Sequence, residues 1–198
     1  IITKIYEALK AGESLILYNG KLWALPSYSY NNSYGQKGIG TTNRVTEITC
    51  LNKIEGTDLC NVTESDASFE IVDLIYTVSY SSSYPESYFA LDSNGKIWSW
   101  GRNSYTETLS GIMGSTYYSY VLGTGNTNNE YSPVCISDIS GDLCNAYTNN
   151  SSFKIVKIET LAEGVMSATD NEGNVWLWGK NYFGELGNGT MESVMQPY

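Results

Sequence analysis

The sequence predicts an all-β fold made by repetition, with about three units of four short strands each. Three observations carry this. A turn-and-strand phrase occurs three times: Asn171-Glu172-Gly173-Asn174-Val175-Trp176-Leu177-Trp178-Gly179, Ser93-Asn94-Gly95-Lys96-Ile97-Trp98-Ser99-Trp100-Gly101, and the more divergent Asn19-Gly20-Lys21-Leu22-Trp23-Ala24-Leu25. An apolar segment also recurs ahead of each phrase, at Ile2, Ile71 and Ile155, and 18 positions separate both Ile2 from Gly20 and Ile155 from Gly173. The composition, with 17 tyrosines and 19 glycines among the 198 residues, leaves no long helical period free of glycine or β-branched residues.

Each element follows from local chemistry. Ile2–Glu7 and its copies read as the first strand. Leu15 and Leu17, Phe89 and Leu91, and Met166 and Ala168 mark an alternating second strand before each turn. The asparagine-glycine turns lead into the tryptophan strand, in which Trp98 and Trp100, like Trp176 and Trp178, share a face at period two. Gly101 and Gly179 end those strands, and a polar glycine loop follows, compact at Gly184, Gly187 and Gly189. A short segment then enters a cysteine loop. The predicted units are 1–70, 71–154 and a third, 155–198, that stops short of such a loop. The middle unit carries two insertions, 79–86 and 104–120, both read as irregular serine- and tyrosine-rich loops.

Cys50 and Cys60, and Cys135 and Cys144, are close pairs in loops that resemble each other. A zinc site wants two-residue spacings and further ligands, so two local disulfides are the better reading. They imply an oxidising compartment and place the protein outside the cell or on its surface. The formal charge of −10 opposes binding to nucleic acid or anionic membranes, and no apolar run is long enough to insert in a bilayer. With no histidine, a serine or cysteine nucleophile lacks its usual base. Asp170 and Glu172 form a conceivable carboxylate pair, but in an exposed turn nothing would separate their pKa values. The acid and amide side chains of the turns, and the repeated glycines, are ordinary turn and repeat chemistry. No catalytic residue, metal or cofactor is expected.

The repeat, with its turn, Val-Trp-x-Trp-Gly-x-Asn strand, aromatic-Gly-Glu-Leu-Gly-x-Gly loop and later proline, resembles that of the regulator of chromosome condensation family. The match is strong over 164–197, interrupted over 88–133 and weak over 12–45, where Leu25 and Pro26 replace the Trp-Gly pair. The resemblance implies a β-propeller of four-stranded blades. Three blades cannot close such a ring, so the array is completed by other chain segments or by other subunits.

The tryptophans then belong to packing between blades. Residues particular to this protein lie in the insertions, where Tyr80, Tyr84, Tyr117, Tyr118 and Tyr120 suit protein or glycan recognition. The function expected is a non-catalytic module that binds a protein partner or further copies of itself. A carbohydrate-binding surface module is the alternative, and a fragment of a carbohydrate-active enzyme the remotest one.

Overall fold

The computed structural model describes residues 2–7, 14–18, 20–26, 32–51, 70–78, 85–108, 116–136, 143–144 and 152–198. It is all-β, with antiparallel sheets that follow the repeats. The first sheet runs in order β1 (Ile2–Glu7), β2 (Ser14–Tyr18), β3 (Lys21–Ala24) and β4 (Thr49–Cys50). The second contains β5 (Ile71–Thr77), β6 (Ser87–Asp92) and β7 (Ile97–Gly101). A hairpin of β8 (Ser104–Thr108) and β9 (Thr116–Tyr120) interrupts it before β10 (Glu130–Cys135) returns beside β7. The third has β11 (Ile155–Ala162), β12 (Val165–Asp170) and β13 (Val175–Gly179), and Val194 and Tyr198 bond to Gly179 and Leu177 where a fourth strand begins.

Each sheet is a blade too thin to have a core of its own, so the cores lie between blades. Leu15, Leu17 and Leu22 of blade 1 meet Leu74, Tyr88, Trp98 and Trp100 of blade 2. Phe89, Leu91 and Ile97 of blade 2 meet Ile158, Met166, Ala168 and Trp178 of blade 3. Each blade thus has a front face toward its successor and a back face toward its predecessor. Period-two alternation decides which residue faces which way.

Cross-strand pairing corrects one sequence expectation. Trp98 pairs with Ala90 and Trp176 with Ala168, whereas Trp23 pairs with Ile16. Met166 and Ala168 are therefore counterparts of Tyr88 and Ala90 on the back face. The true counterparts of Phe89 and Leu91 are Ser167 and Thr169, which pair with Leu177 and Val175 as Phe89 and Leu91 pair with Ser99 and Ile97. Apolarity alone suggested the wrong parity, because in blade 3 the larger front-face residues have moved to the neighbouring strand.

The second insertion is also more regular than an irregular loop. Residues 104–108 pair in register with 116–120 to form the β8–β9 hairpin. Of the first insertion, Pro85 and Glu86 are buried, while Tyr80 and Tyr84 lie outside the described residues.

Candidate functional site

The most informative surface is the set of glycine loops, which recur with the same contacts in the first two units and stand open in the third. In unit 1 the loop passes through Gly35, Gly38 and Gly40, all at positive φ. A Cβ at Gly38 would lie 2.7 Å from Leu51 and 3.0 Å from the Trp100 indole nitrogen. That nitrogen donates to the Gln36 carbonyl at 3.1 Å, joining blade 2 to blade 1. Unit 2 repeats this: a Cβ at Gly123 would lie 3.0 Å from the Trp178 indole nitrogen, which donates to the Val121 carbonyl at 2.9 Å. Glycine is required at these positions for two reasons, the left-handed backbone and the indole against it. The loops also bond to the next unit through their backbones, Gly40 N–H to Tyr131 and Gly125 N–H to Met195, both to carbonyl oxygens. In unit 3 nothing lies within 4 Å of a Cβ at Gly187 or Gly189.

Buried asparagines hold these loops in shape. The Asn32 side chain accepts from Lys37 N–H and donates to the Thr41 and Asn43 carbonyls. Asn103 accepts from Leu122 N–H and donates to the Asn126 carbonyl. Asn181 accepts from Leu186 N–H and donates to the Thr190 and Glu192 carbonyls. Their role was missed in sequence, although the Trp-Gly-x-Asn spacing of Asn103 and Asn181 contained the signal.

The turn aspartates are buried, not exposed as expected for Asp170. Asp92 accepts from the Asn94 and Lys96 amides and, at 2.8 Å, from the Trp98 indole. Asp170 accepts from the Glu172 and Asn174 amides, the Asn174 side chain and the Trp176 indole. Burial raises the Asp92 carboxyl pKa, and the hydrogen bonds offset it only in part. At Asp170 burial also raises the pKa. There, at the end of the array with less protein around it, the bonds from Asn174, Trp176 and Glu172 prevail and the net shift is downward. Trp23 has no such acceptor, because Tyr18 stands opposite Lys21 where Asp92 stands opposite Lys96, and its buried indole nitrogen is left unpaired.

The β8–β9 hairpin braces blade 2 against blade 3. Glu107 accepts two bonds from the Lys180 ammonium, at 3.0 and 3.1 Å, and both side chains are largely buried. Tyr117 packs on Tyr182 with ring centroids 5.0 Å apart, and the Tyr120 amide donates to Ser193 Oγ. Burial and the nearby Glu107 and Glu185 push the Tyr182 hydroxyl up to about 12. Tyr118, 55% exposed, is left facing solvent. Between blades 1 and 2 the corresponding cation is Arg102, held by Glu86 at 3.0 Å and lying over the Tyr34 ring at 4.6 Å.

Of the predicted disulfides, Cys135 is bonded to Cys144, which closes the loop that buries Leu143 between blades 2 and 3. Cys50 is disulfide-bonded too, and Cys60 lies outside the described residues.

This architecture has known relatives. The model of the Regulator of chromosome condensation (RCC1) repeat matches residues 172–198. No curated protein matches the sequence. Among solved structures, 99% of the chain superposes on 37% of a chain in the structure of Kap60 bound to yeast RCC1 (Prp20), with a TM-score of 0.58 and 17% identity. Likewise 95% superposes on 35% of a chain in the structure of Prp20p from Saccharomyces cerevisiae, with a TM-score of 0.55 and 20% identity. The chain spans little more than a third of these structures. It carries a regulator of chromosome condensation repeat at residues 172–198 and has the blade fold of RCC1 propellers along its length.

Proposed function

We propose that this chain is a non-catalytic protein-interaction module, in which the blades are scaffold and the insertions make the contacts. One observation carries the reading. The β8–β9 hairpin inserted in the second unit braces blade 3 through Glu107 and Tyr117 and still presents Tyr118 to solvent at 55% exposure, an aromatic that the repeat itself does not need. The similar yeast protein was crystallised with Kap60, and Prp20p is described with Gsp1p and histones, so the fold elsewhere engages proteins. A net charge of −10 favours basic partners over nucleic acid.

The disulfides support an extracellular or surface location. Glycan recognition has less support: in the hairpin Tyr117 is committed to Tyr182, and Tyr118 alone of the predicted tyrosines described is widely exposed. Affinity capture with the purified chain, paired with a Tyr118→Glu variant, tests the reading. Specific protein capture that the variant loses supports it. Capture of glycans on an array with no protein bound overturns it.

A further inference from the structure

The β8–β9 hairpin is a two-stranded ribbon inserted within the second unit, and neither of its strands pairs with a third among the described residues. Its register is regular from Ser104 opposite Tyr120 to Thr108 opposite Thr116, without the shifts that interrupt the pairs β1–β2, β5–β6, β7–β10 and β11–β12. Along an antiparallel pair, residues that bond to each other alternate with residues that turn N–H and C=O outward. Two contacts fix which are which. The Tyr120 amide donates to Ser193 Oγ at 3.0 Å, and the Ser104 carbonyl accepts from Arg102 Nε at 2.9 Å, so that pair points outward. By the same alternation Thr106 and Thr108 point outward, while Tyr105 and Glu107 bond to Ser119 and Tyr117. The two edges differ in what meets them. β9 is fastened to blade 3 through the Tyr120 amide, whereas on β8 the outward N–H and C=O of Thr106 and Thr108 have no hydrogen-bond partner among the described residues. Thr106, Thr108, Thr116 and Tyr118, all exposed, make up the outer face of the ribbon. Proteins commonly blunt an edge with a charge, a proline or a bulge, and this one has none of these, since Glu107 turns inward to Lys180.

We propose that the β8 edge binds an extended segment of a basic partner protein, which adds to the ribbon as a third strand. This rests on the reading of the chain as an interaction module and names what its insertion takes. Thr106 and Thr108 each supply an N–H and a C=O, and such main-chain bonds give affinity without demanding a particular sequence. Selectivity comes from the side chains of the incoming strand that lie beside Thr106 and Thr108 on the exposed face, where β-branched and aromatic residues pack best. The sign of the partner follows from charge. The chain carries −10, so a segment flanked by lysine or arginine is attracted, whereas a second copy offering its own β8 edge brings the same negative charge and is repelled. A third strand also suits the ribbon itself: two strands alone are marginally stable, and here only the inner face is braced, by Glu107 on Lys180 and Tyr117 on Tyr182.

Short peptides selected from a displayed random library on the full chain are the probes, with affinity read by fluorescence anisotropy. Selected binders should be β-prone with basic flanks. Thr106→Pro removes an outward N–H without touching a bond of the hairpin, and should weaken binding about tenfold or more. Thr106→Val keeps the backbone and should leave binding nearly unchanged. A second measurement uses the unaltered chain, so no folding defect can imitate it: a probe methylated on one alternate set of backbone nitrogens should lose binding, and the same probe methylated on the other set should keep it. Amide exchange locates the strand. Thr106 and Thr108 should exchange fast in the free chain and slowly with the probe bound, while Tyr105 and Glu107 are protected in both. Binding that survives Thr106→Pro, binding that both methylated probes share, or new protection at Tyr118 in place of Thr106 and Thr108 overturns the proposal. A library that yields no binder, or copies of the chain that pair through β8, overturns it as well. Protein capture abolished by Tyr118→Glu but untouched by Thr106→Pro would leave the module reading standing while sinking this one.

Discussion

Trp178 concentrates the energetics of a blade joint in one side chain. It is fully buried, packs obliquely on Phe89 at 6.2 Å, and donates its indole hydrogen to the preceding loop. Replacing it by alanine leaves a cavity and an unpaired Val121 carbonyl, so Trp178→Ala should cost about 3–5 kcal/mol, read by denaturant unfolding. The two turn aspartates make a second residue-scale prediction. Asp92, raised, should protonate above the ordinary carboxylate value of about 3.9, and Asp170, lowered, should protonate below it. A depressed pKa stabilises the fold above the unfolded-state value, and that stability is lost as pH falls through the folded one. Asp170→Asn should therefore destabilise at neutral pH and cease to differ from wild type in strong acid. For Asp92 the sign is opposite: its ionised form is disfavoured in the fold, so its contribution weakens as pH rises through its folded pKa. Carboxyl-carbon NMR titration resolves the two, and equal midpoints would refute the assignment.

Among the elements, the β8–β9 hairpin is a brace and not a free loop. Lys180→Met should leave Glu107 partly buried without its cation and cost about 1–2 kcal/mol, whereas the double variant Lys180→Met, Glu107→Gln should recover part of it. Stability measured for the full cycle checks this, and additive losses would show that the pair does not interact. The loop closed by Cys135 and Cys144 is the other element that ties blades together, since it places Leu143 in the second core. Its reduction should lower stability by about 2–3 kcal/mol in the chain-entropy account, with Cys135→Ser, Cys144→Ser giving a similar loss in unfolding experiments. Strand existence was legible here because alternation and asparagine-glycine turns are local signals. The hairpin was not, since its serine- and tyrosine-rich strands have little apolar contrast to mark a period, and pairing against blade 3 supplies the order.

For the whole molecule, stability is a chain of neighbour contacts: among the described residues blade 2 packs against both neighbours, and blades 1 and 3 each pack against blade 2. Amide hydrogen exchange should accordingly be slowest in β6 and β7 and faster in β13, where Val175 is exposed. Uniform protection across the three sheets in a dilute sample would contradict it.

By itself the sequence determined the repeat, the all-β class, the Trp-Gly phrase and the pairing of Cys135 with Cys144, because each is written in local spacing. Only tertiary structure separated front from back, since a shift of one residue in a strand reverses which side chains face the neighbour. That is why Met166 and Ala168 proved to face blade 2 and why Ser167 and Thr169 were overlooked. Whether a glycine loop is filled depends on what packs across it from another blade, and no local pattern records that contact.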